Sequence, residues 1–139
     1  MFTQNIFIRR ANWHVRIFFA VTHIDADEIL DELINAGCSS SDLVEAKRSL
    51  WSGLPNSGLT YSNLNDRKTV MVIGYTSDAS EAWNIIDHEK NHLLQHIAQA
   101  TDIDPYGEEI SYISGEFIRN IYRGRGKTLL CDCCRKKLP

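Results

Sequence analysis

The sequence has no apolar stretch approaching the roughly 20 residues that a membrane-spanning helix needs. It also has no segment built like a secretory leader. A leader keeps its charges at the start and an unbroken apolar run behind them, whereas Arg9, Arg10, Asn12, His14 and Arg16 are scattered through Met1–Val21. No membrane partner is expected, and the expected location is the cytoplasm. Cysteine is scarce and poorly spread for a disulfide framework. Of four, Cys131, Cys133 and Cys134 crowd into the last nine residues, and Cys38 stands alone. That spacing suits free thiols in a reducing compartment and lacks the two spaced pairs of a zinc ribbon. A cationic excess is missing as well. The net charge of −3 argues against nucleic acid as the main partner. Only Arg119–Lys137 is locally basic, and it reads as a solvated tail in preference to a phosphate-binding arm.

What is present is an ordinary globular composition, with 43% hydrophobic and 24% charged residues. The 139 residues fit one domain. A chain of that size buries about two-thirds of its unfolded surface. Residues 1–123 read as that domain and 124–139 as a basic, Cys-containing tail.

Trp13–Val21, rich in aromatic and β-branched residues, predicts a strand. Asp25 or Asp27 can cap a helix to about Ala36, with Ile29, Leu30, Leu33 and Ile34 on its apolar face and Gly37 ending it. Ser39–Ser41 precede a second helix, about Asp42–Trp51, and Ser52–Gly58 is a loop. Leu59–Asn63 and Lys68–Tyr75 read as strands joined at Asn65-Asp66. Asp78 and Glu81 have the spacing of a capping box, opening a helix to about Ala100. After a loop containing Pro105 and Gly107, a last helix covers about Glu108–Tyr122. There is no internal repeat. The order predicts an α+β domain with a small antiparallel or mixed sheet.

The motif that carries chemistry is His88-Glu89-Lys90-Asn91-His92. On a helix, positions four apart lie about 6 Å apart on one face. Two imidazoles so placed can converge on one zinc ion. Glu89, one position further round, can reach a metal-bound water without ligating the metal, as the base of a metalloprotease does. His96 continues the stripe but lies about 12 Å from His88 along the axis, too far to join it as a ligand. It reads as a surface or supporting histidine. His14 and His23 have no motif around them and read as structural. A third protein ligand is needed, and the acidic start of the last helix, Glu108-Glu109, offers one. Both glutamates also suit a helix N-terminus on electrostatic grounds alone.

His-Glu-x-x-His followed by Glu-x-x-Ser on the next helix resembles the thermolysin-type gluzincins, a branch of the zincin metallopeptidases. The text GLTYSN, TVMVIGYTSDASEAWNIIDHEKNHLLQHI and GEEISYISGE is also similar to small zincin-like proteins of prophages and mobile elements, over about residues 58–118. The resemblance implies a minimal zincin-like α+β fold: a small sheet packed on helices, and an active-site helix followed by a Glu-bearing helix. It implies zinc held by His88, His92 and Glu108, with Ser111 as the small residue packing on the motif helix. Glu109 is the alternative ligand. Tyr112 stands where these enzymes place an Asp; Tyr106, Tyr112 or Tyr122 can act as a transition-state donor. The implied activity is hydrolysis of a peptide or protein substrate, with Glu89 as catalytic base. The strand before the motif helix, about Thr69–Gly74, would be an edge strand able to pair with that peptide. Two other readings stay open: a catalytically silent zincin-like binding or regulatory protein, and a structural protein with a chance motif.

Overall fold

The computed structural model describes residues 1–54 and 56–125. Cys131, Cys133 and Cys134, with most of the basic tail, lie outside the described residues. The elements run β1 (Phe2–Ile8), β2 (Trp13–Val21), α1 (Ala26–Asn35), α2 (Ser40–Trp51), β3 (Gly58–Asn63), β4 (Lys68–Gly74), α3 (Ala79–Thr101) and α4 (Glu108–Arg123). This is an α+β arrangement around a four-stranded mixed sheet in the order β1-β2-β4-β3. No helix among the described residues is long and apolar enough to cross a membrane.

The strand order follows from which segments are apolar on both faces. β2 alternates between two cores. Trp13, Val15, Ile17 and Phe19 join the core under α3 and α4, while Phe18 and Val21 join the core under α1 and α2. β4 does the same, with Met71 and Ile73 on one side and Val70 and Val72 on the other. Strands apolar on both faces belong in the middle of a sheet covered by helices. They pair in parallel there, with Ile17 opposite Met71 and an irregularity between Phe18 and Val21. β1 and β3 flank them in antiparallel register.

This corrects the expected edge. Thr69–Gly74 belongs to β4, which is internal, and the edge strand beside the motif helix is β3. β1 was not legible as a strand: only Ile6 and Ile8 of its seven residues are buried. The expected capping box on α3 is half made. Asp78 accepts from the Ser80 backbone N–H at 2.8 Å, but Glu81 accepts from Asn84 instead of reaching back. Asp25 caps no helix with its side chain; it closes a 3₁₀ turn by accepting from the Thr22 N–H.

Candidate metal centre

The motif sits in the middle of α3, a 23-residue helix. One face of that helix, including Ile85, Ile86, Leu93 and Ile97, is buried against the sheet. His88 and His92 fall on the exposed side. Their Nε2 atoms approach to 3.2 Å, with the rings at 76°. Two nitrogens at about 2.0–2.1 Å from a tetrahedral zinc stand about 3.3–3.4 Å apart. One neutral ring donating to the other accounts for the contact by itself. A metal would replace that shared proton at nearly the same separation.

Glu89 turns the other way. It is 4% exposed and lies beneath β3, where its Oε2 accepts from the Thr60 hydroxyl at 2.6 Å. Gly58 leaves room for it. A Cβ at Gly58 would come within 2.8 Å of Glu89 Cγ and 2.6 Å of the Val72 carbonyl oxygen. Alternation along β3 therefore aims Thr60 and Ser62 at α3, and Leu59 and Tyr61 at the core under α2.

One turn beyond His92, His96 is half-buried and bonded to β3. Its Nδ1 lies 2.7 Å from Ser62 Oγ, which lies 2.7 Å from Thr69 Oγ1. The Trp13 indole N–H donates to that same Thr69 oxygen at 2.8 Å. An indole can only donate. Thr69 accepts that proton, Thr69 and Ser62 share a hydroxyl–hydroxyl bond, and the direction of the Ser62–His96 bond follows the tautomer of the ring. Burial, and secondarily the nearby His92, lowers the His96 pKa from its ordinary 6.5. A groove of about 420 Å³ runs along the outer side of β3 between α2 and His96, with Asp42, Glu45 and Tyr61 in its wall.

The acidic start of α4 lies elsewhere. Glu108 is exposed in the first turn. Glu109 pairs with Arg10 at 3.5 Å, and the same guanidinium stacks over Tyr112 at 4.7 Å. Ser111 is exposed; Tyr106 is 95% exposed. Among the described residues, no group of three His, Cys, Asp or Glu is arranged to hold a metal. The chain thus brings His88 to His92 and fastens Glu89 to the sheet edge, but does not add Glu108 or Glu109 to the pair. Thr60, Gly58 and Ser62 escaped the sequence reading. The only available signal was the small, polar alternation of GLTYSN. No family model, curated protein or solved structure matches this chain.

Proposed function

We propose that the protein binds zinc through His88 and His92 and hydrolyses a peptide bond in a substrate docked beside α3. The observation that carries this reading is the 3.2 Å approach of the two Nε2 atoms, close to the separation a tetrahedral ion requires. The pair fits two vertices of such a site. Water would take another, and Glu108 is the proposed further ligand. Zinc held there would lower the pKa of a bound water toward neutrality and polarise a carbonyl. Glu89 would take the proton of the attacking water and return it to the amine as the C–N bond breaks. The Thr60 hydroxyl holds that carboxylate, and Gly58 gives it space. The outer edge of β3 offers backbone groups to an extended peptide, and the groove along it offers side-chain room.

A second reading is a zincin-like binding or regulatory protein that keeps the metal without turnover. The burial of Glu89 and its bond to Thr60 favour it, because a base engaged with the sheet must be released to reach water. Peptidase assays on unfolded protein substrates, with wild type beside Glu89→Gln, decide between the two. The enzyme reading requires activity that the substitution lowers by at least about 10²-fold. Zinc-loaded wild type as inert as the variant supports the binding reading.

A further inference from the structure

Four arginines far apart in sequence meet where α4 crosses the end of β1. Arg9 and Arg10, on the 3₁₀ turn after β1, and Arg119 and Arg123, on the last turns of α4, line one polar depression of about 420 Å³. Glu116 shapes it: its carboxylate accepts from the backbone N–H groups of Arg9 at 2.7 Å and Arg10 at 3.4 Å, fastening the turn to α4. Arg10 is already engaged by Glu109 and Tyr112. The guanidinium groups of Arg9, Arg119 and Arg123 pair with no carboxylate among the described residues. Counting Glu109 and Glu116, the depression keeps two net positive charges.

Like charges one helical turn apart, as Arg119 and Arg123 are, oppose folding. Gathering them against Arg9 makes sense when an anion compensates. Charge is also segregated along the chain. Residues 1–118 carry eight Lys and Arg against seventeen Asp and Glu, and residues 119–139 carry seven against one. The net charge of −3 conceals this division.

We propose that this depression binds single-stranded nucleic acid through its phosphates. Arg119 and Arg123 are about 6 Å apart along α4, a spacing suited to successive phosphates. The cationic sequence that continues from Arg123 favours a polyanion over a lone phosphate. Tyr112, 53% exposed, lines the same depression with the Arg10 guanidinium over its ring. A small concave surface accepts a strand more readily than a duplex. The site lies against β1, the sheet edge opposite β3, and its test does not involve zinc.

The test is fluorescence anisotropy of a labelled oligothymidylate with the full chain at low salt. Arg9→Glu and Arg119→Glu should each weaken binding by about tenfold. Each lost contact should reduce the slope of log affinity against log salt by about 0.7. Lys47→Glu on α2 should leave binding unchanged, and Arg→Gln versions, checked by thermal melts, separate charge loss from misfolding. Four results overturn the proposal: no binding by wild type; Arg9 and Arg119 variants that bind as wild type does; displacement of the oligonucleotide by inorganic phosphate at equal phosphate concentration; or capture by phosphatidylserine vesicles with none by the oligonucleotide.

Discussion

A carboxylate that is 4% exposed has to be held, because burying such a charge without a partner costs several kcal/mol. For Glu89 the partner is the Thr60 hydroxyl at 2.6 Å. Removing it in Thr60→Val should cost about 1–3 kcal/mol of stability, read by chemical denaturation, whereas Thr60→Ser should retain most of it. Equal stability of Thr60→Val and wild type would show that the bond holds nothing. Glu89→Gln should keep zinc, since the glutamate is not proposed as a ligand; loss of zinc equal to that of His92→Ala would make Glu89 a ligand. His96 supplies a pH test. Its folded pKa is lowered by burial, so the unfolded chain takes up the proton first as pH falls. Its contribution to stability is whole above the ordinary value of 6.5 and declines as pH drops from there toward the lower folded value. The melting temperature of wild type should therefore fall between neutral and mildly acid pH more steeply than that of His96→Gln. Parallel curves would contradict the assignment.

At the scale of elements, the close packing of β3 on α3 rests on a missing side chain. Gly58→Ala would drive a methyl into the Val72 carbonyl and the Glu89 side chain. Overpacking of this kind costs about 1–3 kcal/mol, and a denaturation midpoint unchanged from wild type would show that β3 can yield freely. In the core that α4 shares with α3, Ile110, Ile113, Phe117 and Ile121 form the buried stripe of α4. Phe117→Ala should cost about 3–5 kcal/mol, and a loss below 1 kcal/mol would mean that α4 docks loosely. These helices were legible because each writes its apolar face into local spacing. So was the pairing of His88 with His92, which needs only one helical turn. β1 was not, since its burial comes from α4 arriving more than a hundred residues later. The identity of the edge strand was hidden for a related reason. It depends on β2 pairing in parallel with β4, a contact between distant segments. The restraint of Glu89 by β3 is likewise tertiary, and so is the pairing of Glu109 with Arg10.

For the whole molecule, the sheet separates two regions of different chemistry. Around β3 lie the paired histidines, the buried glutamate and a groove with acidic walls. Around β1 lies the arginine depression. The mixed sheet holds them apart, so variants at one edge should leave the other unaffected. Additivity of distant substitutions is the usual behaviour. The zinc assignment is the premise on which the peptidase and binding readings both rest, and metal content tests it without any choice of substrate. Purified wild type, dialysed against trace zinc and measured by elemental analysis, should hold one zinc per chain, with affinity falling at acid pH as protons compete for the ligands. His88→Ala and His92→Ala should each abolish stoichiometric zinc while keeping the fold. Wild type without zinc, or a folded His88→Ala that retains it in full, would contradict the site.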